Sequence, residues 1–298
     1  MSYLLDHWSV DPLMLCALVV AVWHELGLRR LLRRTRRDRV RRRRLRSLWF
    51  YAGLGVLAIA VASPLEHWGY DYFLIHTVQH LLLMFAAPTL IVAGAPSQPL
   101  LVALPLRARR AGLRALLHER WARPLRAAGR LLVRPAVIVT AFNLVMVGWE
   151  IPGALDLAER NRFVHVWLMN GSMLLTGVLF WLLIIPSAPL RMRIAPAGQA
   201  VALLATNFVM WALALSLTLF THHSWYSVYS HIPGVTLSPF ADQQLGAGLL
   251  WVCGDLWAVP ALIIALRRLI AEEAGVVDAA LERLLGQRSS SQVGRARP

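Results

Sequence analysis

The sequence predicts an all-α fold, a polytopic bundle of seven transmembrane helices, from three observations. The chain of 298 residues is 57% hydrophobic and only 16% charged, with a mean hydropathy of +0.54, whereas soluble domains carry about 25% charged residues. Its apolar residues gather into seven windows near the roughly 20 residues that a helix needs to cross a bilayer. Its basic residues, all 31 of them arginine, collect between alternate windows, as short cytoplasmic loops do.

The windows fall at 12–28, 48–64, 72–93, 135–149, 164–185, 199–220 and 241–266. The first follows MSYLLDHWSVD, whose Asp6 and Asp11 replace the basic n-region of a cleavable signal, so the span is expected to be retained. Twelve arginines then lie in the predicted loop 29–46, nine in 107–134, two at Arg191 and Arg193, and six after Leu266. Only Arg160 and Arg162 fall on the other side. This asymmetry places the N-terminus outside and the C-terminus in the cytoplasm. The net charge of +15 is thereby accounted for by topology and anionic headgroups rather than by nucleic acid.

Within residues 1–266, the membrane domain, the stretch 104–134 mixes Leu113, Leu116, Leu117, Trp121 and Leu125 with arginines and reads as an amphipathic helix on the cytoplasmic interface. The fourth window is the shortest. The seventh opens SPFADQQLGAGLLW, in which Ser238 and Pro239 form an N-cap and first-turn proline, and Asp242 suits the positive end of its own helix. Gly246 and Gly248 permit close packing, and Asp255 in mid-span needs an internal partner. The tail 267–298 is cytoplasmic and partly disordered by composition. Cys16 and Cys253 both fall in spans and are expected as small buried core residues, with a soft-metal role the alternative.

The histidines sort by side. His7, His67, His76, His80, His165, His222, His223 and His231 lie outside or in the outer half of a span, while His24 and His118 do not. On the third window His76, His80 and Met84 recur every four residues, with Gln79 beside them; on the fifth, His165, Met169 and Met173 repeat the interval. Side chains at that spacing share one helix face, and both helices run from outside to inside. A polar residue in a span is costly and marks an interior site, so the pair His76 and His80 points to a metal or cofactor. Imidazole with thioether favours Cu(I) over hard cations. The outer loops add Glu150, Asp156 and Glu159, and also Trp225, Tyr226 and Tyr229, which are expected as interface-belt aromatics. His222 and His223 are either solvated or transient metal ligands.

The ordered set HTVQHLLLMFAAPTLIVAGAP, the WxxP of Trp149 to Pro152, the His165 span ending in Phe180-Trp181, and DQQLGAGLLW resembles the CtaG-type cytochrome c oxidase assembly factors over about 67–266. The resemblance implies a bacterial multi-pass plasma-membrane protein, not an enzyme, that matures haem–copper oxidases, with copper supply the usual proposal. The implied partners are oxidase subunits and copper donor proteins, beside membrane lipids. Its characteristic polar residues fall on His76, Gln79, His80, His165, Asp242 and Gln243. Of these, Gln79, Asp242 and Gln243 are expected at the cofactor, with His76, His80, His165, Met84, Met169 and Met173 as metal ligands. Two departures are Glu150 and Met169, at positions where the resemblance implies histidine.

The functions in contention are therefore a Cu(I)-handling assembly factor, a b-type haem redox protein using His76 or His80 with His165, and a copper transporter. A histidine-box di-iron enzyme needs many more histidines.

Overall fold

In the computed structural model, the described residues are 8–33, 35–187, 189–190, 194–230, 232 and 234–295, with no side-chain description at 113 or beyond 274. His7, His231, Arg191 and Arg193 lie outside them. The described residues are all helical or irregular, with no strand. Six of their helices are long and apolar enough to cross a membrane, and a seventh span arises if the pair 120–132 and 135–149, bent by 74°, is taken as one.

Helix α1 (Pro12–Leu32) starts where Asp11 Oδ1 accepts the Leu13 N–H at 2.7 Å and Pro12 supplies a first-turn φ. Helix α2 (Arg37–Ala62) begins well before the predicted window, so arginines 37–46 lie on a helix rather than in a loop. Arginine is a good helix former and can extend its stem along the apolar surface. A short helix α3 (Pro64–Gly69), capped by Ser63, turns the chain into α4 (Phe73–Ala93). Helix α5 (Ser97–Ala103) then folds back against α1.

The stretch expected as one amphipathic helix forms two, α6 (Leu106–His118) and α7 (Arg123–Leu132), separated by a 3₁₀ turn at Arg120–Ala122. Trp121, Leu125, Leu131 and Leu132 are exposed there. Helix α8 (Pro135–Trp149), α9 (Pro152–Arg160), α10 (Val164–Ile184), α11 (Pro196–Leu219) and α12 (Pro239–Arg295) complete the bundle. Ser238 Oγ accepts the Ala241 N–H at 3.2 Å, as the predicted N-cap requires. Asp255 finds its partner in Asn207 Nδ2 at 3.0 Å.

Helix α4 is not regular. Pro88 lacks an N–H and cannot bond the Met84 carbonyl four residues back. Just before it the chain widens into a π turn, Leu82–Ala86. The Met84 carbonyl is taken instead by Trp181 Nε1 of α10 at 3.2 Å, which meets the rule that no backbone polar group stays orphaned at membrane depth. Gly177 of α10 lies against this place, since a Cβ there would sit 2.8 Å from both Met84 O and Pro88 Cγ. Gly246 lies as closely on Phe73, whereas Gly248 faces open space. One of the two glycines expected to allow close packing does so. Cys16 is exposed, against the expectation of burial, and Cys253 is half-buried. The outward face of α1 leaves Cys16 with no helix to cover it, and Leu15, Leu18 and Val19 beside it are exposed too.

Gly177→Ala is expected to destabilise the protein by about 1–3 kcal/mol by overpacking, read as a lower Tm in detergent. Gly248→Ala should leave Tm unchanged or raise it slightly.

Candidate functional site

Three histidines and three glutamates meet at the end of the bundle opposite the arginine-rich turn between α1 and α2. The first two turns of α4 present His76, Gln79 and His80, all buried. Helix α3 supplies Glu66, the chain after α8 supplies Glu150, α9 supplies Glu159, and the first turn of α10 supplies His165. Glu159 Oε1 lies 3.2 Å from His76 Nδ1 and 3.0 Å from His165 Nδ1. Glu150 Oε1 lies 3.0 Å from His80 Nδ1, and Glu66 Oε1 is 3.5 Å from His165 Nε2. The other Glu66 oxygen accepts a hydrogen bond from Gln79 Nε2. The rings of His76 and His80 are 4.1 Å apart, and those of His76 and His165 5.7 Å.

Each histidine thus turns Nδ1 toward a carboxylate. The Nε2 atoms of His76 and His80 are buried with no hydrogen bond among the described residues, His76 Nδ1 also makes none despite its closeness to Glu159, and His165 Nε2 faces Glu66 beyond good hydrogen-bond geometry. A carboxylate on one ring nitrogen fixes the ring and raises the basicity of the other, which is how metal-binding histidines are oriented. Among the described residues no arginine forms an ion pair with Glu66, Glu150 or Glu159. Three carboxylates among three imidazoles make a buried site that favours a cation or protons. As placed, no group of three or more His, Cys, Asp or Glu among the described residues could hold a metal ion. The donor set therefore fits a metal by its chemistry, through unpartnered imidazole nitrogens, rather than as a closed cage.

Met84, Met169 and Met173 are fully buried in the surrounding core. Their four-residue spacing assumed straight α-helices. Met84 lies in the π turn of α4, and His165 and Met169 in a second π stretch, Val164–Asn170. The wider i→i+5 turn shifts the face each residue presents, and such turns recur at functional sites.

Tyr226 and Tyr229 are not belt residues. The loop after α11 folds inward, and both rings are buried, Tyr226 stacking on Phe73 at 4.6 Å. Tyr226 Oη donates toward the Glu150 carbonyl and carboxylate at 3.0 and 3.2 Å, and Tyr229 Oη donates to Gly69 O at 3.1 Å. Asp156 anchors the loop by accepting the Ser227 hydroxyl and the Val228 N–H. Half-buried Tyr70 stacks on His165 at 5.1 Å. Burial raises the Tyr226 phenol above its ordinary value, and the Glu150 charge raises it further. Burial likewise pushes the Glu150 carboxyl up to about 7, against the Tyr226 hydrogen bond that favours its charged form.

The remaining sequence-predicted residues hold the scaffold. Asp242 caps α4 rather than its own helix: Oδ2 accepts the Phe73 N–H at 2.6 Å and Oδ1 the Leu74 N–H at 3.0 Å. Gln243 accepts the Trp225 N–H at 2.7 Å and donates to Leu217 O at 2.9 Å. His222 and His223 are exposed. His24 stacks on Phe50 at 4.3 Å with Nδ1 3.1 Å from the Tyr51 hydroxyl. Glu66 carried no signal of its own in the sequence, Glu159 only that of an outer-loop charge, and Glu150 that of a charge at a position where the resemblance implies histidine. The available signal was their position beside the spans that carry the histidines.

These features define a multi-pass helical membrane protein with a buried histidine–carboxylate cluster at one end. The chain belongs to the cytochrome c oxidase caa3 assembly factor family, Caa3_CtaG, whose model matches residues 22–272. No curated protein and no solved structure matches the chain.

Asp242→Ala is expected to cost about 1–2 kcal/mol, the loss of a helix cap, measured by thermal unfolding. In Tyr226→Phe the Glu150 carboxyl should titrate at higher pH than about 7, because a hydrogen bond to its charged form is gone. Infrared titration of the carboxyl band reads this, and an unmoved midpoint would show that the hydroxyl does not act on that carboxylate.

Proposed function

We propose that the protein handles Cu(I) for the catalytic subunit of a cytochrome c oxidase, from the extracytoplasmic side of a bacterial plasma membrane, without catalysing a reaction. The buried, unpartnered Nε2 atoms of His76 and His80, in rings whose Nδ1 atoms face Glu159 and Glu150, carry this reading, with His165 beside them between Glu159 and Glu66. Family membership supports the oxidase as client. The arginine asymmetry of the sequence supports the side, since the cluster lies at the end of the bundle away from the basic turn. Copper is cargo here, and imidazole nitrogens, with the buried thioethers of Met84, Met169 and Met173 on the same two helices, suit its reduced form. Copper donor proteins would load the site.

A b-type haem has less support. Glu159 bridges His76 and His165 through one oxygen, so a carboxylate occupies the place where the macrocycle would stand between two axial ligands.

The purified protein is expected to bind Cu(I) under reducing conditions with no Soret band, and His76→Ala/His80→Ala to abolish binding and lower the copper content of the oxidase. Normal oxidase metallation in that variant, verified as folded by its thermal transition, would sink the proposal.

A further inference from the structure

A second polar concentration lies at the opposite end of the bundle. Because α2 begins at Arg37, Arg39, Arg42, Arg43 and Arg46 fall three and four residues apart and share one helix face. That face lines a cavity of about 460 Å³, closed across from it by Gly94, Ala95, Gln98 and Pro99. The far wall is fixed in place. A Cβ on Gly27 of α1 would meet the Pro99 carbonyl at 1.8 Å, and Trp23 Nε1 donates to Leu100 O at 3.0 Å. Arg30 also donates to the Ala103 carbonyl. Ala95 is held at φ 49°, a left-handed conformation uncommon for a residue with a Cβ and a frequent mark of ligand clamps.

The four guanidinium groups are poorly compensated. Among the described residues the ion pairs they form reduce to Arg39 with Asp38 at 3.9 Å, both largely exposed. Arg43 donates to the neutral Gln98 side chain at 3.1 Å. Like charges at these spacings repel, and burial of Arg43 and Arg46 to an intermediate degree sharpens the demand for an anion. Planar forks of this kind match the oxygens of a phosphate group. Leu28 and Leu31 add an apolar wall beside them.

We propose that this cavity is a binding site for a phosphate group, held by the forks of Arg42, Arg43 and Arg46. The two sources of that chemistry are the headgroup of an anionic phospholipid and free phosphate. The site stands apart from the histidine cluster and does not depend on copper.

The test uses the full chain, purified in neutral detergent and stripped of lipid. Binding of inorganic phosphate in one arm, and of dioleoyl phosphatidylglycerol in mixed micelles in the other, is followed by native mass spectrometry and thermal shift. Saturable binding in either arm is expected, weakened about 30-fold in R42Q/R46Q at about one headgroup contact per arginine, and unchanged in R107Q/R110Q, which removes the same charge from exposed positions of α6. The arm that saturates identifies the source. No saturable binding in either arm, or equal weakening in both variants, overturns the proposal. If R42Q/R46Q does not purify as a monodisperse species, R46K is read instead: it keeps the charge and loses the planar fork, and an unchanged affinity overturns the proposal.

Discussion

One carboxylate oxygen of Glu159, buried between His76 and His165, ties together the two spans on which the site is built. Removing a carboxylate from water is costly unless it is hydrogen-bonded or neutralised, and here the His165 Nδ1 hydrogen bond at 3.0 Å, with His76 Nδ1 3.2 Å away on the other side, offsets part of that cost. The contact brings α9 down onto α4 and α10. Helix α9 is in turn fixed to the loop after α11 through Asp156. The cluster, the helix that carries its central acid and the loop that covers it are therefore mechanically one unit.

The irregular backbone of both spans follows from the same need to bring side chains inward without exposing peptide groups to lipid. Pro88 releases a carbonyl that Trp181 collects, and Gly177 lets the two helices approach closely enough for this to happen. Such replacements are the condition for a broken helix in a membrane. The π stretches of the two spans lie directly after His80 and around His165, so the imidazoles sit at or beside irregular backbone.

The aromatic cover works through hydrogen bonds as much as packing. Tyr226 and Tyr229 each combine a ring stacked or edged against Phe73 with a hydroxyl given to Glu150 or to the Gly69 carbonyl. Asp242, on the last helix, fixes the first turn of α4 from the side. Four elements distant in the chain thereby meet within one turn of His76, and water is kept from a site rich in carboxylates.

Periodicity and arginine placement in the sequence by themselves determined the helical membrane class and most of the spans, because a bilayer imposes length and hydropathy on each helix independently of its neighbours. The same logic picked out His76, His80 and His165, since polar residues in apolar runs are legible one helix at a time. Tertiary structure alone decided which carboxylates answer them. Glu66, Glu150 and Glu159 sit in short outer segments where charge is cheap and carries no periodic signal, and only the packing of α3, α8 and α9 against α4 takes them out of water. For the same reason Tyr226 and Tyr229, whose composition matched an interfacial belt, and Asp242, whose position matched a local cap, took roles set by contacts 76, 160 and 169 residues away. Sequence spacing fixes a side chain's place on its own helix, whereas its partner depends on how the helices assemble.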